Sequence, residues 1–292
     1  TYIIRFTYKR MKGNFPGGVL IKWFLKWFLL IVSCLTLGLA AGCGNGTGKA
    51  PASSAPSNSK VIRVGMDAAY PPFGFQNTET KAYEGFDVDV IRAIGKAEGF
   101  ETEVHNIAFD GLIPSLQSGV IDTAINDITI TPDREKSVDF SKRYYIAGLG
   151  VVVKADNDAI KTADDLKGKV LGVTIGSTGE EAARKIEGAN VKVYNTLSDA
   201  FLDLKQGAVD AVVNDIPTNE YYVAKTSDHS VKTAPVALTS EDLGIAVKKG
   251  NKDLLKKIDD ALAKIKKNTE NAAIYKNYKK WFDREPPAEL LK

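Results

Sequence analysis

The chain reads as an α/β protein whose sheets are linked by helical crossovers, and two observations predict this. From Lys60 onward, short apolar runs of strand length alternate with stretches whose apolar residues recur at helical spacing. The alternation starts afresh after Gly148, so the architecture occurs twice. With 292 residues, 44% of them hydrophobic and 26% charged, the chain carries enough apolar material for one large or two ordinary domains with a real core.

Taken in order, 61–66 is a predicted strand, and 86–99 a helix whose Val88, Ile91, Ile94 and Ala97 are spaced for one buried face. A strand at 104–107, a helix at 110–117 and a strand at 121–125 with alternate residues buried complete the first set. The second set runs as strands at 148–153, 169–173, 191–194 and 209–213, with helices at 178–186, 197–206 and 217–224. A strand at 243–247 and helices at 252–266 and 269–282 follow.

The residues before Cys43 have a different character. Arg5, Lys9, Arg10, Lys12, Lys22 and Lys26 are unaccompanied by any acidic residue, and an apolar run over 27–42 follows them. That is the layout of a secretory signal, and the run is short against the roughly 20 residues a membrane-spanning helix needs. Residues before Met11 carry no usable pattern and are read as lying upstream of the start. The run ends Ala40-Ala41-Gly42-Cys43, which resembles a bacterial lipobox, with Cys43 as the lipidated residue. Cys34 fits the same loose pattern but is followed by more apolar residues, whereas Cys43 is followed by a glycine-rich stretch. The expectation is thus a leader and lipoprotein signal over 1–42, export, and anchoring by lipid to the outer face of the cell membrane.

Residues 43–59 are Gly, Ser, Ala, Pro and Asn with almost nothing apolar, so they are read as a flexible tether. Beyond Cys43 there is no cysteine, which excludes disulfides and cysteine metal sites there. With the six leader cations removed from the 39 basic residues, 33 face 36 acidic ones, a formal charge of about −3. The pI of 8.6 therefore reflects the leader, and no nucleic-acid footprint remains.

The chemistry gathers in Asn126-Asp127-Ile128-Thr129-Ile130-Thr131-Pro132-Asp133-Arg134, directly after the 121–125 strand. Thr129 and Thr131 offer hydroxyls, and Arg134 a planar fork of donors suited to a carboxylate. Ligands of open α/β sheets sit outside the carboxyl ends of strands, which is where this cluster falls. The plainer reading is a helix cap with a surface Arg134 paired to Asp133 or Glu135.

Neighbouring stretches resemble the polar amino-acid solute-binding proteins of ABC transporters, the family of glutamine-, histidine- and lysine/arginine/ornithine-binding proteins. The residues concerned are Gly65-Met66-Asp67-Ala68-Ala69-Tyr70-Pro71-Pro72-Phe73, Tyr83-Glu84-Gly85-Phe86-Asp87-Val88-Asp89 and Phe109-Asp110-Gly111-Leu112-Ile113-Pro114-Ser115-Leu116. The Asn126 stretch with Asp139-Phe140-Ser141, and Gly172-Val173-Thr174-Ile175-Gly176-Ser177-Thr178-Gly179, continue it in the family's order. The resemblance implies a two-lobed periplasmic-binding-protein-like fold (type II), each lobe a mixed sheet flanked by helices, joined by two hinge strands. Lobe 1 would be 60–143 plus 243–292 and lobe 2 would be 149–238, with the chain crossing near 143–148 and 240–244.

The resemblance also implies roles for particular residues. Arg134 and the backbone N–H of Thr178 would meet a ligand α-carboxylate, the latter at a helix start where amides favour an anion. Asp215, with Thr129 as its partner, would meet the α-ammonium. Tyr70 and Phe109 would sandwich the ligand's side chain, and Asp67 would meet its polar tip. Asp127 departs from the small residue usual at its position, and a second carboxylate there calls for a cation.

These readings lead to an exported, lipid-anchored monomer that captures a polar L-amino acid, cationic or glutamine, and delivers it to an ABC transporter permease. No cofactor, metal or nucleic acid is expected. An enzyme on the same fold, such as a cyclohexadienyl dehydratase-like protein, would need a placed acid or base, and His105 and His229 match no ligand position. A sensor domain would come with a second membrane segment or a signalling domain, and neither pattern occurs up to Lys292.

Overall fold

Ile62, Val64 and Met66 point alternately into one core from the strand at the start of the folded part. The computed structural model describes residues 60–225, 229–267, 273–287 and 289. The leader and the whole tether, Cys43 included, lie outside them.

The chain begins with β1 (Lys60–Met66) and three short strands, β2 (Ala69–Tyr70), β3 (Gly74–Gln76) and β4 (Tyr83–Glu84), which form a small sheet of their own. Helix α1 (Phe86–Glu98) follows, burying Phe86, Val88, Val90, Ile91 and Ile94, and ends at Gly99 in the left-handed conformation. Ala97, predicted on the buried face, is exposed. Then come β5 (Phe100–Asn106), α2 (Leu112–Ser118), β6 (Thr123–Ala124), α3 (Pro132–Ser137), β7 (Val138–Phe140) and β8 (Tyr145–Ala147).

The second run contains β9 (Leu149–Lys154), β10 (Val170–Thr174), α4 (Thr178–Arg184), β11 (Asn190–Tyr194) and α5 (Leu197–Gln206). It continues through β12 (Ala211–Asp215), α6 (Ile216–Lys225) and β13 (Val231–Ala237). The chain closes with β14 (Glu241–Leu243), β15 (Ala246–Lys248), α7 (Lys252–Lys267) and α8 (Ala273–Phe282).

Two five-stranded mixed sheets result, in the orders β5-β1-β6-β15-β7 and β11-β10-β12-β9-β13. The first draws on both ends of the folded region and the second on one unbroken stretch. Between them β8 and β14 pair antiparallel, Tyr145 opposite Leu243 and Ala147 opposite Glu241. Helix α7 buries Leu254, Ile258, Ala261, Leu262 and Ile265, spaced as one helical stripe. Tyr278 and Trp281 of α8 are buried as well, and Tyr278 donates to the Tyr145 hydroxyl at 3.2 Å, so α8 packs on the crossing strand β8. Among the described residues no helix is long and apolar enough to cross a membrane.

Two sequence expectations change in detail. The strand predicted at 121–125 pairs only over Thr123–Ala124, because the backbone bends away and reaches the left-handed region at Asp127, φ 52°. The single strand predicted at 243–247 is two, β14 between the sheets and β15 within the first.

Candidate functional site

The bend after β6 aims the polar cluster into a cleft between the two sheets. Asp127 is buried, and its backbone N–H donates to Asp87 Oδ2 at 2.8 Å, a carboxylate behind it in the first core. Thr131 caps α3 by accepting from the Arg134 N–H at 3.2 Å, with Pro132 in the first turn. That cap sends the Arg134 side chain inward instead of onto the surface. Only 8% of Arg134 is exposed; Nη1 donates to the Thr129 carbonyl at 2.9 Å and Nη2 to the Gly176 carbonyl of the opposite sheet at 3.0 Å. Its guanidinium also lies 5.5 Å from the Phe109 ring centroid. Asp133 pairs with Lys136 instead, so the surface ion pair with Asp133 or Glu135 is not what the chain adopts.

From the second sheet, β10 ends at Thr174 and the chain turns at Gly176, φ 71°, where a side chain would be strained. Ser177 caps α4 through the Glu180 N–H, and Gly179 lets the helix approach β12, since a Cβ there would stand 2.8 Å from the Val213 carbonyl. Thr178 thereby faces the cleft. Asp215 ends β12, and Tyr70 reaches across from β2, its hydroxyl 3.0 Å from Asp215 Oδ2 and 2.7 Å from Asn214 Oδ1.

About 460 Å³ of empty space, part of it open to solvent, lies between the walls of this narrow cleft. All eight residues predicted for the site line it: Asp67, Tyr70, Phe109, Asp127, Thr129, Arg134, Thr178 and Asp215. Tyr70 and Phe109 are half-buried, and neither belongs to the closed core. Asp67 is half-buried too, accepting the Ala69 N–H at 3.1 Å while its own N–H donates to Asn126. Neither His105 nor His229 lines the cleft. Asp139 and Ser141, which carry part of the resemblance, serve the fold: Asp139 accepts from Gly250 and Lys252, and Ser141 Oγ from the Ile245 N–H.

Sequence reasoning missed Ala69, Asn126, Thr174, Ser177, Thr196, Leu197 and Asn214 in the lining. It also missed Glu241 of β14, whose buried carboxylate accepts from Thr129, Thr178 and Thr239. In sequence Glu241 stands beside a second acid, Asp242, and nothing local marks it as the buried one.

The electrostatics are lopsided. Arg134 is the one basic side chain lining the cleft among the described residues, and no carboxylate pairs with its guanidinium; burial lowers its pKa, which surrounding acids oppose. Against it stand Asp67, Asp127 and Asp215. Burial, then the Asp215 and Asp87 charges, push Asp127 well above the ordinary carboxylate range; burial and then Glu241 raise Asp215 to about 7. Burial likewise raises Asp67. Both Asp127 oxygens and Asp215 Oδ1 are buried without a hydrogen-bond partner among the described residues. The cleft therefore has an unpaired guanidinium and unpaired carboxyl groups side by side, which suits a ligand carrying both charges. Among the described residues no group of acidic, His or Cys side chains is placed to hold a metal.

Comparison with known proteins agrees with this fold. The family model described as bacterial extracellular solute-binding proteins, family 3, matches residues 62–284. The L-cystine-binding protein TcyJ of Escherichia coli K12 is 38% identical over 76% of this chain and 82% of its own. The arginine-binding extracellular protein ArtP of Bacillus subtilis is 34% identical over 89% and 99%. Among solved structures, an ancestral arginine-binding protein bound to arginine superposes with a TM-score of 0.72 at 46% identity, covering 76% of this chain and 98% of that one. The two mixed sheets with their helices and paired crossing strands are thus a type II periplasmic-binding-protein-like fold.

Proposed function

We propose that this chain, which belongs to family 3 of the bacterial extracellular solute-binding proteins, captures a cationic L-amino acid between its two lobes and hands it to an ABC permease. The observation that carries the reading is the charge of the cleft: three lining carboxyl groups against one guanidinium. An α-carboxylate would lie on Arg134 and the Thr178 N–H, and an α-ammonium on Asp215 with Thr129. Tyr70 and Phe109 would flank the aliphatic stem, leaving a cationic tip for Asp67 and Asp127.

Glutamine satisfies the first two contacts and would hydrogen-bond Asp67, but it brings no charge to Asp127. L-Cystine is a second reading, favoured by the relative that bears its name. Its far carboxylate would meet no second cation among the lining residues. Export and lipid anchoring through Cys43 complete the proposal on the strength of the leader pattern.

The deciding experiment is a thermal-shift and calorimetric screen of residues 57–292, one compact unit, against the common amino acids, ornithine and cystine. Arginine, lysine, ornithine or histidine should stabilise most. Tight glutamine or cystine binding without the basic amino acids would overturn the cationic reading, and no response to any of them would overturn the amino-acid reading.

A further inference from the structure

Glu241 sits on β14, between the lobes, and is buried. Its Oε2 accepts two hydroxyls from opposite walls of the cleft: Thr129 Oγ1 of the first lobe at 2.6 Å and Thr178 Oγ1 of the second at 2.9 Å. Its Oε1 accepts Thr239 Oγ1 at 2.7 Å. An ionised carboxylate has only lone pairs to offer, so in all three contacts the threonine must give the proton. A hydroxyl owns one proton and two lone pairs; once the proton is committed, the oxygen can only accept.

Thr239 already behaves in this way. While donating to Glu241, its Oγ1 accepts the Leu149 N–H at 2.9 Å. Thr129 and Thr178 make the same donation, and both residues line the cleft. We infer that Glu241 fixes the hydrogen-bond polarity of the binding site: by taking the proton of Thr129 it turns that hydroxyl into an acceptor that reads a ligand ammonium, and by taking the proton of Thr178 it leaves the backbone N–H as that residue's donor to the ligand carboxylate. Glu241 is a positioning residue that acts through two others, and it ties one wall residue of each lobe to a single atom of the crossing strand. A ligand carboxylate or ether oxygen offered to the Thr129 hydroxyl would find lone pairs facing lone pairs, and would be rejected.

The inference rests on the amino-acid reading above, and arginine serves as the probe. Glu241→Gln keeps the shape but replaces the charged acceptor by an amide. Its NH2 faces either the Thr129–Thr178 pair or Thr239 alone, and its oxygen holds the hydroxyl protons less strongly than a carboxylate. Arginine binding should weaken by roughly 10- to 100-fold, the scale of a hydrogen bond to a charged group. Binding of 5-guanidinopentanoate, which keeps the carboxylate and side chain but lacks the α-ammonium, should stay as in the parent. In a double-mutant cycle, Thr129→Val should cost much less in the Glu241→Gln background than in the parent, since both remove the same acceptor. Equal losses for arginine and its des-amino analogue, or additive effects of the two substitutions, would make Glu241 a hinge strut and overturn the inference while the amino-acid reading stands. An unchanged arginine affinity in Glu241→Gln would do the same. A parent that binds none of the amino acids would overturn both together.

Discussion

The Tyr70 hydroxyl meets Asp215 across the cleft, 3.0 Å from Oδ2, and so holds a carboxyl group that burial has raised to about 7. The donor favours the ionised form and opposes the raising, as does Arg134. An ammonium pairs with the carboxylate and not with the acid. Amino-acid affinity should therefore fall about tenfold per pH unit below 7 and level off above it, with a proton released on binding at pH 6. Calorimetry in buffers of different ionisation heat would detect that proton. Tyr70→Phe, which removes the donor, should move the midpoint upward; a profile flat from pH 5.5 to 8 would argue against Asp215 as the ammonium partner.

Arg134 is buried with two carbonyl partners and no anion. Arg134→Ala should lower affinity by 2 to 5 kcal/mol, a factor of about 30 to several thousand, because the ligand carboxylate would be buried unpaired. Arg134→Lys should rescue little, since a point charge cannot reach Thr129, Gly176 and a carboxylate with one fork. An Ala variant within a few fold of the parent would remove Arg134 from the site.

The far end of the cleft distinguishes the candidate ligands. Asp67→Asn and Asp127→Asn should each cost arginine or lysine far more than glutamine, because an amide replaces one polar contact but does not offset a desolvated charge. Titrating both variants with arginine and glutamine gives the ratio directly, and equal losses would count against a cationic tip at these residues.

Asp87 is fully buried, and burial raises it to about 7. Its folded pKa lies above its unfolded value near 4, so between those values the folded state holds a proton that the unfolded state has lost. Its contribution to stability is full in acid, declines as pH rises from about 4 to 7, and is flat above that, a total of roughly 4 kcal/mol. Asp87→Asn, which can still accept the Asp127 N–H, should be more stable than the parent at pH 8 and flatter with pH. Urea melts at pH 5 and 8 would show this, and an unchanged slope would rule out Asp87 as the titrating group.

Cys43→Ala should leave the precursor unprocessed or the protein free of the membrane fraction. If the variant fractionates and migrates as the parent does, the anchor lies elsewhere.

The elements that could be read from sequence were those with complete local punctuation. Helix α5 has Thr196 as cap, Leu197, Ala200, Phe201 and Leu204 on one stripe, and a left-handed Gly207 at its end, so its limits were legible to the residue. Strand β13 was missed because Pro235 breaks its pattern and its register against β9 shifts there. The inward path of Arg134 could not be inferred from its exposed neighbours Asp133, Glu135 and Lys136, because the Thr131 cap that directs it also fits a surface helix. Glu241 was invisible for a different reason. Two of the hydroxyls that give it meaning lie 112 and 63 residues away.

Strand β15 lies between β6 and β7 in the first sheet, and Thr123 Oγ1 bonds the Ala246 carbonyl across 123 residues of sequence. All strands of the second sheet, by contrast, fall between Leu149 and Ala237. A chain emerging from a secretion pore, amino terminus first, can thus finish its second lobe before its first. The first lobe must wait as an open sheet, with β6 and β7 unjoined, until residue 248 has crossed. Folding order therefore runs against synthesis order, and a stall between Ala237 and Ala246 would strand a complete lobe beside an aggregation-prone half.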